Sequence, residues 1–355
     1  GETKGRGDST PGRGGPVQFD PDGELQLEVG AENAIFVVCP RSLARASPVF
    51  KAMFYGGFSE ARQATGNWRV KLPEDDPEAL ALLLNIIHGR FDKVPLVLVD
   101  SKIYKITVLS NKYDLTEALR PWAKRWTKAF VEHSANSAQV AWIAWELGDR
   151  VLLEDMLDDL LLDGSLNEDG DLVSGWDGQP LNSFEMLALM NVVEPLHKKR
   201  MEVLTSLLGP INQLLQSLLG VGEPRRRRCV CYSSQLGYSE ANVCDAVVLS
   251  SLMKGLAKAD LFPLPQPEDC PGPLQDFYDR IRGLGNSIKS LDINAGSRGG
   301  KRSDHTGCNP SKELLDKINW VWRHDRSVID EKHKSHLEIQ AKKSGFAPAE
   351  EDDPL

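Results

Sequence analysis

Ser47-Pro48 constrains the fold of this 355-residue chain more tightly than any other pair in it. Serine is a preferred helix N-cap, and proline is pre-set for the first helical position, so a helix must begin here. Val49, Phe50, Met53 and Phe54 then fall on one stripe of that helix, and Gly56-Gly57 turns the chain away. A shorter helix, anchored by Leu43, precedes it. Upstream, residues 24–38 read as two β-rich runs joined by Gly30-Ala31-Glu32-Asn33, where Gly and Asn tolerate the positive φ of a tight connection. Downstream, residues 67–72 alternate over a strand's length. Asp76-Pro77-Glu78 opens an apolar helix to residue 90, and helices continue over 103–115 and 116–126.

The order and spacing of Phe36, Leu43, Ser47, Phe50, Met53, Phe54, Phe58, Leu72, Asp75-Asp76-Pro77, Ile86-Ile87-His88-Gly89 and the segment 109–114 resemble a BTB/POZ domain. Residues 72–90 and 111–126 are similar to members from filamentous fungi. Many animal members have a His followed by Lys or Arg where this chain has Cys39-Pro40. The resemblance implies an α+β fold over residues 19–130, with a short sheet flanked by a helical cluster. It also implies a non-catalytic protein–protein interaction role, through self-association or recruitment of a partner. A second role implied by the family is that of substrate adaptor for a cullin-type ubiquitin ligase. Such adaptors tend to carry a hydrophobic-x-Glu element after the helix that here ends at Gly89, and this chain has Phe91-Asp92-Lys93 in its place. The family's strongest dimers resemble a swapped form with an ordered N-terminal extension. Residues 1–18 form a tail rich in Gly, Pro and charge, expected to be disordered, so weak self-association or a heterologous partner is expected.

Net charge is −9, which argues against a nucleic-acid partner, because a phosphate backbone is bound chiefly through Lys and Arg. No run approaches the ~20 apolar residues of a membrane span, so no membrane partner is expected. Six cysteines in a chain this long, with no Asn-x-Ser/Thr sequon, do not make a disulfide scaffold, and a reducing cytoplasmic or nuclear setting is expected. The sequence opens on Gly1 rather than Met, which leaves the completeness of its N-terminus open. Arg6-Gly7-Asp8 spells an adhesion tripeptide, which the composition of the tail explains without a function.

After residue 130 the pattern is helical, and residues 131–222 form an expected helical extension. Trp142 and Trp145, three apart, predict a packed seam rather than a ligand-stacking pair. Asp155, Asp158 and Asp159 predict a solvated helix face. Residues 163–180 read as a loop, whose Asn167-Glu168-Asp169-Gly170-Asp171 lacks the terminal Glu of a calcium site. Residues 184–219 carry one long or two medium helices with a wide Leu/Ile stripe interrupted by Pro210. A basic linker, 223–228, contains Arg225 to Arg228 and could address the chain to the nucleus or touch an acidic partner.

A helical C-terminal region, 229–340, precedes an acidic tail, 341–355. Its helices are expected over 239–260, over 274–284 and through Leu314, Ile318, Val321 and Trp322. Residues 296–301 resemble a phosphate loop, but Ala295 and Arg302 stand where Gly and Ser/Thr are required. No Gly-x-Ser-x-Gly, His-Glu-x-x-His or dinucleotide fingerprint is present, and the chain reads as no enzyme. His88, Cys39 and Asp114 could meet, with packing as the plainer role for His88. The sharpest site is metal-ligating. Cys244, His305, Cys308 and one of Cys229 and Cys231 could supply the four soft or borderline ligands of a structural zinc, the one expected cofactor. The competing expectation is a set of reduced thiols, with Cys244 acting as a small buried hydrophobe. A metal-dependent or cysteine-based enzyme in this region is the third functional reading.

Overall fold

The computed structural model describes residues 15–58, 60–62, 67–128, 136–220, 229, 238–291, 305–324 and 326–347. The chain divides into two compact units, residues 1–156 with 329–355, and residues 157–328. Of the tail 1–18 expected to be disordered, residues 1–14 with Arg6-Gly7-Asp8 fall outside the described residues, whereas Val17–Gln18 form a strand. Arg225 to Arg228 and the phosphate-loop-like 296–301 also fall outside, and of the acidic tail 341–355 residues 348–355 do so while 341–344 are helical.

In the first unit, β1 (Val17–Gln18), β2 (Leu25–Val29), β3 (Ala34–Val38) and β4 (Trp68–Leu72) form a sheet in the order β1-β3-β2-β4. The expected hairpin is β2–β3, antiparallel, with Leu27 opposite Phe36, and Gly30 and Asn33 both at positive φ. β4 adds to the other edge of β2 in parallel, Val70 beside Leu27. Alternate residues of β2 and β4 are buried, so the pleat presents one apolar face. The helices α1 (Pro40–Ala46), α2 (Pro48–Tyr55), α3 (Pro77–Ile87), α4 (Asp100–Tyr113) and α5 (Ala123–Thr127) follow in the predicted order.

Ser47 caps α2 by accepting the Phe50 amide at 2.9 Å, and its hydroxyl donates to the Tyr113 carbonyl at 2.6 Å. Asp76 caps α3 by accepting the Ala79 amide at 2.9 Å. The α2 stripe is narrower than its spacing suggests: Phe50 and Phe54 are buried, whereas Met53 is half-buried and Val49 exposed.

Helix α6 (Ser137–Leu147) is buried on nearly every side, Trp142 and Trp145 included, as the packed-seam reading requires. Trp145 stacks on His336 at 3.8 Å. That histidine belongs to α13 (Glu331–Ser344), a helix the sequence reading did not place. It packs on α6, where Ser344 donates to the Leu147 carbonyl and Gln340 Nε2 donates to Glu146 at 3.0 Å. Gly148 takes a positive φ, and a Cβ there would collide with the Ala341 backbone.

Glu146 is fully buried. One carboxylate oxygen accepts Ser110 at 3.2 Å and Thr116 at 2.6 Å, and the other accepts Asn111 at 3.1 Å besides Gln340. Burial pushes its pKa up from the ordinary 4.5, against the opposing pull of the hydrogen bonds from Thr116, Asn111 and Ser110. Above pH 4.5 the unfolded chain releases this proton while the folded chain still holds it, so stability falls as pH rises toward the raised folded value. Glu146→Gln is expected to lower stability overall but to remove that decline. Melting temperature followed from pH 4.5 upward in both proteins checks it, and parallel profiles would sink the assignment.

The division between the units falls within α7 (Arg150–Asp163). In the second unit, the expected 163–180 loop contains a small antiparallel ladder, β5 (Ser165–Leu166) with β6 (Leu172–Val173). Asp158 is no free solvated carboxylate: Arg326 Nε and Nη2 bind its two oxygens, each at 2.7 Å. The apolar stripe of 184–219 becomes α8 (Glu185–Met190) and α9 (Val193–Leu219). Pro210 stays inside α9 and does not end it. Helices α10 (Tyr238–Lys258), α11 (Leu274–Leu284) and α12 (Ser311–Arg323) complete the unit. No helix among the described residues is long and apolar enough to cross a membrane.

Candidate functional site

The first unit carries a groove of about 580 Å³ on α1 and α2, lined by Arg41, Ala44, Arg45, Pro48, Lys51 and Tyr55. Arg41 and Arg45 are one helical turn apart on α1, and Lys51 and Tyr55 are one turn apart on α2. All four are exposed. Three cations and an aromatic therefore share one concave surface with no acidic residue in its lining. The sequence reading missed this groove, although the four-residue spacings were visible in it.

His88, by contrast, is a structural residue. Its Nδ1 bonds the Leu84 carbonyl at 2.8 Å, and its Nε2 accepts the Cys39 amide at 3.1 Å, which sets a single neutral tautomer. Burial pushes its pKa down, in keeping with that neutral role. Cys39 meets it through the backbone, while Asp114 is engaged by Lys343 at 2.7 Å. The sequence-suggested trio does not converge as side chains.

In the second unit, four of the five metal-ligand candidates converge. The ligand atoms of Cys229, Cys244, His305 and Cys308 all lie within 4.8 Å of one another, and all four residues are buried. Cys231 lies outside the described residues. Cys244 projects from α10, while His305 immediately precedes the short 3-10 turn Thr306–Cys308 and Cys308 ends it. His305 Nδ1 stands 3.6 Å from Cys229 Sγ and 3.8 Å from Cys308 Sγ, and these two sulfurs are 3.8 Å apart. That sulfur separation is far beyond the ~2.05 Å of a disulfide. Ala241 and Leu291 close the apolar side of the cluster. Burial pushes the Cys244 thiol up to about 12, with the Cys308 and Cys229 sulfurs adding to the rise and a hydrogen bond from the Leu291 amide opposing it.

The first unit thus combines a short mixed sheet, flanking helices and a charged surface groove, with His88 committed to packing. Residues 24–121 match the family model of the BTB/POZ domain, and the chain therefore contains a BTB/POZ domain, a protein–protein interaction module. Comparison with curated proteins and with solved structures found no match.

Proposed function

We propose that this chain recruits a protein partner by docking an acidic segment into the α1–α2 groove of its BTB/POZ domain. The observation that carries the reading is the convergence of Arg41, Arg45 and Lys51 around Tyr55 in a chain whose overall charge is −9. Complementary charge steers a partner to the site and fixes its register more than it adds raw affinity. The same feature argues for recruitment over self-association through this face. An isologous contact centred on the groove would set three cations of one copy against the same three of another, and like charges so placed repel. The cullin-adaptor reading has less support, since Phe91, Asp92 and Lys93 form a 3-10 turn with no Glu in the position such adaptors use.

Fluorescence anisotropy of a labelled glutamate-rich peptide against the full chain tests this. Arg45→Glu with Lys51→Glu is expected to weaken binding roughly tenfold or more at low salt, with the melting temperature unchanged. Equal binding by wild type and variant would overturn the groove. Light scattering of the same samples reports on self-association, and a stable dimer dissociated by the same two substitutions would favour the isologous reading.

A further inference from the structure

We propose that Cys229, Cys244, His305 and Cys308 hold one structural zinc ion. The distances carry the assignment. Sulfurs about 2.3 Å and an imidazole nitrogen about 2.0 to 2.1 Å from a tetrahedral zinc lie about 3.8 Å (sulfur to sulfur) and about 3.5 to 3.6 Å (sulfur to nitrogen) from one another. The pairs observed here are 3.8 Å for Cys308 with Cys229, 3.6 Å for Cys229 with His305 and 3.8 Å for Cys308 with His305. Each is the edge of such a tetrahedron within ~0.3 Å, and Cys244 supplies a fourth corner within 4.8 Å of the others.

A cluster of plain reduced thiols explains less. A neutral imidazole nitrogen makes one well-directed hydrogen bond, as donor or acceptor according to its tautomer, yet two sulfurs crowd the same Nδ1. A cation bound to Nδ1 accounts for both, and for the placement of a histidine only 3% exposed among three sulfurs. Three thiolates and one imidazole suit zinc over the hard, oxygen-seeking cations. Four protein ligands fill a tetrahedral shell, so no position is left for water or substrate, and the site is structural and not catalytic. What it ties together also fits: His305 and Cys308 lie 76 and 79 residues beyond Cys229 in sequence, with α10 and α11 between them. Closing so long a segment costs entropy that metal–thiolate bonds offset, and the metal's binding energy becomes folding energy of this unit.

The test is elemental analysis and native mass spectrometry of the full chain, purified without a metal-affinity tag and dialysed against trace zinc. About one zinc per chain is expected, along with the intense d–d bands of a tetrahedral sulfur-rich site after cobalt exchange. Cys244→Ser and Cys308→Ser should each lower zinc content about tenfold or more, and His305→Cys should retain it. Cys270→Ser, a buried thiol outside the cluster, should keep its zinc, as should Cys231→Ser. Variants that fail to fold leave the wild-type readings decisive. A folded wild-type chain that takes up neither zinc nor cobalt overturns the proposal, and so does loss of metal in Cys231→Ser with retention in Cys229→Ser.

Discussion

Arg200→Met is expected to destabilise residues 157–328 by about 2 to 4 kcal/mol. Arg200 sits on α9 with no exposed surface, and among the described residues no carboxylate is paired with it. Its charge is met by backbone carbonyls instead: Nη1 donates to Gly164 at 2.9 Å, and Nη2 donates to Cys270 at 2.8 Å and to Gly272. Burial pulls its pKa down to about 10, still well above neutrality, so the guanidinium stays charged where the protein works. Methionine matches much of the side chain's length and relieves the cost of desolvating that charge. It also strands the Gly164 and Cys270 carbonyls, whose bonds to Arg200 are buried, and each such loss costs ~1 to 3 kcal/mol, so the balance is a net loss. The strand β5 and the turn before α11 are pinned to α9 by this one side chain, so the damage should be local first. Hydrogen exchange at Leu166, whose amide donates to the Pro271 carbonyl at 2.7 Å, should speed up before global unfolding moves. Unchanged exchange there, with an unchanged denaturation midpoint, would show that the three hydrogen bonds carry no stability.

What could be read from the sequence was what short-range chemistry determines. The Ser47 and Asp76 caps, the Gly30–Asn33 connection and the α11 limits follow from residues within a few positions of one another. The parallel partnership of β4 with β2 does not, because alternation marks a strand without naming its neighbour. Helix α13 was silent for a different reason. Its buried positions, His333, Leu337, Gln340 and Ser344, keep helical spacing, but three of the four are polar, so hydrophobic periodicity could not register them. Their burial makes sense only with the partner in view: Gln340 completes the shell around Glu146, and Ser344 reaches the end of α6. Gly148, the left-handed residue that ends α6, is likewise a seat for Ala341 that only the packed helix reveals. In the cysteine cluster, the His305-x-x-Cys308 pair and the inward face of Cys244 were legible, but nothing in the sequence chose between Cys229 and Cys231.

Phe50→Ala is expected to cost roughly 3 to 5 kcal/mol, the range for emptying a well-packed aromatic site. Phe50 has no exposed surface, and its ring stacks on Tyr113 at a centroid distance of 4.2 Å and on Phe54 at 5.4 Å. The site has little freedom to collapse. Ser47 holds the start of α2 to the end of α4, and the Tyr113 hydroxyl is fixed by a 2.5 Å hydrogen bond to buried Asp75. Asp75 in turn accepts Lys112 at 2.6 Å, so the ring facing Phe50 is tethered from both ends. Phe50→Leu keeps most of the volume and should cost only ~1 to 2 kcal/mol, which separates cavity formation from the loss of aromatic stacking. The effect should also reach the groove. Lys51 and Tyr55 ride on the outer side of the same helix whose inner side Phe50 anchors, so a loosened α2 misplaces half of the groove's lining. Thermal denaturation of the full chain, read beside binding of the glutamate-rich peptide, checks both consequences. A Phe50→Ala protein with an unchanged melting temperature would mean that α2 is not seated by this ring, and the docking geometry built on that seat would fall with it.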